Sequence, residues 1–155
     1  MQEALTSWTG SHKKEEKSID VWIDGLCGPV NPGGTACIGY VIKNGGVTIV
    51  EGAYVVGKGV EMTNNVAEYT ALIYALKEIK RLGLENKFLT IRSDSQLLVN
   101  QMNRKWAVKA PLIVSLYKLA KDLVNRLHYR VEWIPREENE EADRLTRLAY
   151  ERSLL

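Results

Sequence analysis

The tripeptide Asn44-Gly45-Gly46 constrains this chain more than any other short stretch. It separates two runs rich in β-branched residues, Ala36 to Lys43 and Val47 to about Val56. Asn and Gly tolerate the positive φ that a tight turn between antiparallel strands demands, so the two runs are predicted to form a hairpin. Another strand precedes them. In Ile19-Asp20-Val21-Trp22-Ile23-Asp24 the apolar Ile19, Val21 and Ile23 alternate with Asp20, Trp22 and Asp24, which puts the two sets on opposite faces. Gly25 and the loop Cys27-Gly28-Pro29-Val30-Asn31-Pro32-Gly33-Gly34 are expected to break this strand after Asp24. Three strands joined this way make an antiparallel meander.

The periodicity then changes from two to 3.6. Tyr69, Leu72, Ile73, Leu76 and Ile79 form one apolar stripe of a helix opened by Thr63-Asn64-Asn65, and Gly83 is placed to end it. A strand is predicted from about Lys87 to Asp94, a helix from Ser95 to about Asn103, and a further helix from Pro111 to about Arg126. A fifth strand, Tyr129 to Ile134, stops at Pro135, and a last helix from about Asn139 turns Ala142, Leu145, Leu148 and Ala149 inward. The order is βββαβααβα. A meander followed by strand–helix–strand crossovers requires an α/β fold: a five-stranded mixed sheet with helices on both faces.

A chain of 155 residues, 45% hydrophobic and 26% charged, can bury one core, so residues 18–155 are read as one domain. Residues 1–17 are polar, of mixed charge and without periodicity, and are expected to be a flexible N-terminal extension. No apolar run approaches the roughly 20 residues of a bilayer span, so no membrane partner is expected. A basic start followed by an apolar stretch is missing, and a cytoplasmic location is the expectation. Cys27 and Cys37 do not make a disulfide framework. A net charge of +2 says little about partners, so any nucleic acid would be recognised by local basic groups.

Four carboxylates mark the ends of these elements. Asp24 and Asp94 end strands, whereas Glu68 and Asp143 lie near helix starts. Strand ends and helix starts gather at one rim of an open α/β sheet, where such folds place ligands. Each acid also has an ordinary structural explanation. Asp24-Gly25 could be a turn, Glu68 could close a capping box on the Asn65 amide, Asp94 could be an N-cap, and Asp143 could answer a helix dipole. Their joint placement favours a shared site instead. Acids held together repel unless a divalent cation neutralises them, and all-oxygen donor sets suit Mg²⁺ or Mn²⁺ rather than zinc. A metal-dependent phosphoryl-transfer enzyme is the first expectation.

Other chemistries find no support. His12 lies in the extension and His128 enters the fifth strand, so no Ser-His-Asp or Cys-His arrangement is apparent, and no phosphate loop of Walker type occurs. The cluster Arg104-Lys105-Trp106-Lys109 could grip a nucleic-acid backbone, or be a solvated helix end with Trp106 packed on the core.

The stretches Ile23-Asp24-Gly25 with Asn31-Pro32-Gly33, Thr63-Asn64-Asn65-Val66-Ala67-Glu68, Ser93-Asp94-Ser95-Gln96 and Pro135-Arg136-Glu137-Glu138-Asn139-Glu140-Glu141-Ala142-Asp143 resemble type 1 ribonuclease H, most closely its archaeal members. The likeness runs from about Ser18 to Tyr150. It implies a ribonuclease H-like fold and hydrolysis of the RNA strand of an RNA–DNA hybrid, leaving a 5′-phosphate and a 3′-hydroxyl. It also implies two Mg²⁺ ions, with Mn²⁺ as a substitute. Asp24 would bridge both ions, Asp143 would complete the site of the attacking water, and Glu68 and Asp94 would hold the second ion near the leaving oxygen. Gly25, Cys27, Asn31, Thr63, Asn64, Asn65 and Gln96 would contact substrate, the asparagines and Gln96 in the minor groove and Thr63 at a DNA phosphate.

Two departures from many bacterial members stand out. Arg136 occupies a shortened loop where those members carry a histidine, and arginine cannot relay a proton at working pH. The basic helix-and-loop handle is reduced to the region of Lys105–Lys109. The alternatives are a DNA-acting nuclease of the same superfold and a non-catalytic nucleic-acid-binding module. Double-stranded RNA is an open second substrate, and a monomer is expected.

Overall fold

The computed structural model describes residues 18–155, and the segment Met1–Lys17 lies outside the described residues. Five strands form one sheet in the order β3-β2-β1-β4-β5. They are β1 (Ser18–Gly28), β2 (Thr35–Asn44), β3 (Val47–Lys58), β4 (Phe88–Ser93) and β5 (His128–Trp133). The first three are antiparallel, whereas β4 and β5 run parallel to β1. The hairpin forms as predicted. Asn44 pairs with Val47, and the two-residue turn between them consists of Gly45 and Gly46, both at positive φ.

The helices are α1 (Asn64–Arg81), α2 (Gln96–Met102), α3 (Pro111–Val124) and α4 (Glu140–Ser153). The predicted stripe of α1, from Tyr69 to Ile79, is buried against Ile19, Val21 and Ile23 of β1 and Ile38, Tyr40 and Ile42 of β2. Removing these side chains from water is the main stabilising term of the fold. Helix α3 packs on α1, and α4 covers the opposite face over β1, β2 and β3. The polar set of β1 therefore faces α4 at Asp24 but open surface further down. There Trp22 lies between Lys43 and Arg92, and Arg92 pairs with Asp20 at 2.7 Å and Glu132 at 2.9 Å.

Several boundaries differ from expectation. Gly25 does not break β1, because β2 continues the ladder through Gly25–Ile38, Leu26–Cys37, Cys27–Ala36 and Gly28–Thr35. Helix α1 is capped by Thr63, whose hydroxyl accepts the Val66 amide, so the capping box on Asn65 does not form. Strand β4 ends at Ser93, and Ser95 rather than Asp94 caps α2 by accepting the Leu98 amide. Helix α3 ends at Val124, and Arg126 follows at a φ of 73°. On α4 the inward position assigned to Leu148 is taken by the fully buried Thr146. Trp106 is not packed on the core but is 49% exposed beside Arg104, Lys105, Tyr117 and Lys118. Cys27 and Cys37 are both free thiols. No helix among the described residues is long and apolar enough to cross a membrane.

Candidate active site

The rim where β1 and β4 end and α1 and α4 begin holds an open cleft of about 610 Å³. Its lining includes Asp24, Glu68, Asp94, Asp143, Asn64, Asn65, Ser95 and Arg136. All four acids predicted from the sequence are therefore in one place. Each arrives from a different element, which is why their separations in the sequence carry no regular spacing.

Three of them converge. Single carboxylate oxygens of Asp24, Glu68 and Asp94 lie within 4.8 Å of one another. Glu68 is released for this role by Thr63, which takes over the capping of α1. Its Oε1 instead accepts a hydrogen bond from the Gly25 backbone amide, and its Oε2 is 3.5 Å from the Ser93 hydroxyl. That same hydroxyl accepts the Ser95 amide at 3.0 Å, which fixes the turn carrying Asp94. The indole of Trp133 donates to the Asp94 carbonyl at 3.1 Å, holding the turn from the other side.

Electrostatics at this point are costly. Burial first, and then the charges of Asp94 and Asp143, push the Asp24 carboxyl from 3.8 to about 7, against a lowering contribution from the Thr146 hydroxyl. Burial and then the charges of Asp24 and Asp94 raise Glu68 well above its usual value. Asp94 is raised by burial as well, while hydrogen bonding from Asn139 and the charge of Arg136 pull it back. Buried like charges resist ionising together.

Asp143 has a different environment. It neighbours Asp24 but stays outside the converging set of three. Its Oδ2 accepts the Arg147 Nε at 3.0 Å, and its Oδ1 is 3.9 Å from Arg136 Nη2. Arg136 is on a single 3-10 turn, Arg136–Glu138, and is exposed.

The expected substrate contacts divide into two groups. Asn31 Oδ1 accepts the Asn64 amide at 3.0 Å, and Asn64 Oδ1 accepts the Cys27 amide at 2.7 Å, so these bonds tie the loop carrying Asn31 and the end of β1 to the start of α1. Asn64 lines the cleft, whereas Asn31 and Cys27 stand outside its lining. Asn65 is exposed on the cleft wall, and Gly25 lines its floor. Thr63 commits its hydroxyl to the cap, Cys27 buries its thiol near the Val30 and Met62 carbonyls, and Gln96 is exposed on α2 outside the cleft lining.

A matching family model, described as reverse transcriptase-like, covers residues 24–149. The ribonuclease HI of Halobacterium salinarum is 34% identical over 117 residues, covering 74% of this chain and 56% of that protein. The bifunctional protein Rv2228c of Mycobacterium tuberculosis is 43% identical over 86 residues, which is 54% of this chain and 22% of that protein. The chain thus spans only part of the length of these curated relatives. The solved N-terminal ribonuclease H domain of Rv2228c superposes with a TM-score of 0.79 at 31% identity, covering 88% of this chain and 96% of that one. LC11-RNase H1, solved in complex with an RNA/DNA hybrid, gives 0.80 at 33% identity, covering 88% and 99%. The chain belongs to the type 1 ribonuclease H family.

For a type 1 ribonuclease H, the sequence left unmarked two residues that line the cleft and one buried behind it. Asn139 is fully buried, donates to the Ile23 carbonyl at 2.9 Å and bonds to Asp94, yet its Oδ1 has no partner among the described residues. Its sequence position suggested only a helix start. Arg147 and Tyr150 line the cleft on α4. Their spacing of four and seven residues from Asp143 was a readable signal, because such positions share one helix face.

Proposed function

We propose that this ribonuclease H domain is an endoribonuclease that hydrolyses the RNA strand of RNA–DNA hybrids, leaving 5′-phosphate and 3′-hydroxyl ends. The observation that carries this reading is the convergence of Asp24, Glu68 and Asp94 in an open cleft with Asp143 beside Asp24. Two buried carboxylates and a half-buried third, all with raised proton affinity, are a poor arrangement for a metal-free protein and a good one for a divalent cation. The donor set is all oxygen, which fits Mg²⁺, with Mn²⁺ as a substitute. Asp24, Glu68, Asp94 and Asp143 would hold two such ions. Bound there, divalent ions supply Lewis acidity towards phosphoryl oxygens and a lowered pKa for coordinated water.

The chain's own residues supply the rest. No histidine is among the residues lining the cleft, and Arg136 stays charged near neutral pH, so neither residue type supplies a proton relay there. Arg136 brings a permanent positive charge to the mouth, placed to offset charge building on the phosphate or leaving oxygen. Asn64 and Asn65 on one wall, with Asn31 bonded to the Asn64 amide beside them, offer small polar groups suited to a minor groove that displays 2′-hydroxyls on one strand only. The hybrid bound by LC11-RNase H1 supports assigning the same class of substrate here.

The test is cleavage of labelled RNA–DNA hybrid, double-stranded RNA, double-stranded DNA and single strands, each with Mg²⁺, Mn²⁺ or EDTA. Cleavage of the hybrid's RNA strand, abolished by EDTA, is the expected result. Equal cutting of the DNA duplex would replace this reading with a DNA nuclease. Binding without cleavage would replace it with a recognition module.

A further inference from the structure

Strands β1 and β4 stay paired as far as Ile23 and Ser93 and then part. Beyond that point β1 runs on beside β2 alone, while the chain leaves β4 into the turn carrying Asp94. Asp24 and Asp94 stand on the two sides of this fork, each one residue past the last pair. Parted strands leave backbone carbonyls without a ladder partner, and buried carbonyls need donors. The Ser93 carbonyl is met by the Ile134 amide at 3.0 Å, and the Ile23 carbonyl by Asn139 Nδ2 at 2.9 Å. The Asn139 side chain also bonds to the Asp94 carboxyl. Its backbone carbonyl accepts the Asp143 amide at 3.0 Å, which opens the hydrogen-bond ladder of α4. One buried residue thus holds the surroundings of three acids that arrive from three different elements.

We propose that Asn139 is a positioning residue that, from the fork between β1 and β4, fixes the mutual placement of Asp24, Asp94 and Asp143 for cation binding and turnover. The inference rests on the reading of the cleft as a divalent-cation site. Residue type and position agree on this role. Asn139 is the N-cap of α4, where an asparagine side chain ordinarily accepts an amide of the first turn. Here it makes no such bond, and its Oδ1 has no partner among the described residues, so the side chain serves through its nitrogen. Both partners of that nitrogen are acceptors, a carbonyl and a carboxyl, and the two protons of one amide nitrogen suit the pair. Ionised aspartate offers no proton, serine offers one, and glutamine would carry its amide a methylene too far.

Full burial keeps Asn139 from touching a hybrid lying in the cleft, so its effect has to pass through the acids. Glu68 is tied to β1 separately, through the Gly25 amide. Without the Asn139 donors the Ile23 carbonyl goes unmet, Asp94 is free to turn, and the start of α4 loses its bond to β1. Misplacing reacting groups by about 1 Å can cost about a hundredfold in rate. Hydrogen-bond partners of metal-holding carboxylates contribute about tenfold to a hundredfold in cation affinity or activity.

The test compares the full chain as wild type, Asn139→Ala, Asn139→Asp, Asn139→Ser and Val124→Ala. Melting, calorimetric titration with Mn²⁺, hybrid binding at saturating Ca²⁺ and single-turnover cleavage in Mg²⁺ are measured at about pH 8, well above the ordinary aspartate pKa. Val124 is buried at the end of α3 and outside the cleft lining, so its truncation supplies a melting loss without a positioning loss. Asn139→Ala should cut about tenfold to a hundredfold more slowly and bind Mn²⁺ about tenfold more weakly. Hybrid binding should stay close to wild type. Asn139→Asp, nearest to asparagine in shape, should be slower still, because it sets a carboxylate against the Ile23 carbonyl and Asp94. Asn139→Ser keeps one donor and should fall between wild type and Asn139→Ala. Val124→Ala should melt lower and cut at the wild-type rate. Wild-type cleavage by Asn139→Asp overturns the proposal, since shape alone would then suffice. So does a rate loss in Asn139→Ala no larger than that in Val124→Ala, or a loss carried by hybrid binding alone. Should the alanine and aspartate variants not fold, Asn139→Ser against Val124→Ala decides by the same comparison. A wild type that binds no Mn²⁺ or leaves the hybrid uncut would instead remove the functional reading beneath it.

Discussion

The side chain of Glu68, in the second turn of α1, accepts a hydrogen bond from the backbone amide of Gly25 on β1. This contact joins the strand carrying Asp24 to the helix carrying Glu68, and it is possible only because residue 25 has no side chain. A Cβ there would meet the backbone of Ala67 and Glu68. Gly25→Ala should therefore push α1 away from β1, at a cost of about 2 kcal/mol from overpacking. That corresponds to a fall in melting temperature of roughly 5 °C for a domain of this size. Cleavage should fall far more than stability, because the separation of two reacting-site carboxylates changes. A Gly25→Ala protein with wild-type melting and wild-type turnover would show that the close approach is not needed.

How much of this was readable beforehand depends on what each residue's role requires. The hairpin at Gly45-Gly46, the α1 stripe and the placing of four acids at one rim follow from local signals, because turn chemistry and side-chain periodicity are properties of neighbours in sequence. The extension of β1 through Gly25 was not readable, since the ladder is sustained by β2, and glycine alone argues for a break. Glu68 shows the limit most clearly. Its spacing from Asn65 fits a local cap, and only tertiary structure reveals that Thr63 caps instead and that Glu68 reaches a strand 43 residues away. Asn139 was invisible for the same reason, because its partners Ile23 and Asp94 are distant in sequence.

Replacing Asp24 or Asp94 with asparagine should abolish cleavage and leave the fold intact. Asparagine nearly preserves shape and removes one of the mutually repelling charges, so melting in EDTA should stay equal or rise. Circular dichroism, melting and a hybrid-cleavage assay on the same preparation decide the matter. Near-wild-type turnover by well-folded Asp24→Asn would exclude the proposed site.

The raised Asp24 carboxyl sets a pH dependence with a definite sign. Its folded-state value of about 7 is above the usual 3.8, so the native protein binds this proton more tightly than the unfolded chain. The resulting stabilisation is complete below about pH 4 and is lost as pH rises through about 7. Glu68 and Asp94 are raised too and act in the same direction. In EDTA the protein should melt higher at about pH 5 than at about pH 8. Asp24→Asn should flatten that slope, and millimolar Mg²⁺ should restore melting at the higher pH. A metal-free protein that is more stable at the higher pH would contradict the electrostatic account.

Arg136→Ala should lower turnover more than it weakens hybrid binding. The guanidinium is at the cleft mouth on an exposed 3-10 turn and makes only a 3.9 Å approach to Asp143, so the free protein gives it little structural work. Its charge is most useful when negative charge grows on the phosphate or leaving oxygen, and an interaction that strengthens in the transition state appears in the chemical step. A loss of about tenfold to a hundredfold in single-turnover rate is expected, in line with the loss of one electrostatic donor. Hybrid binding measured in Ca²⁺ should change by less than about threefold, because one phosphate contact contributes modestly to salt-dependent affinity. Arg136→Lys should recover part of the rate, since it returns the charge without the planar fork. Equal losses in binding and rate would reduce Arg136 to a residue that positions the backbone. An unchanged rate would mean that the charge at the mouth has no part in the reaction.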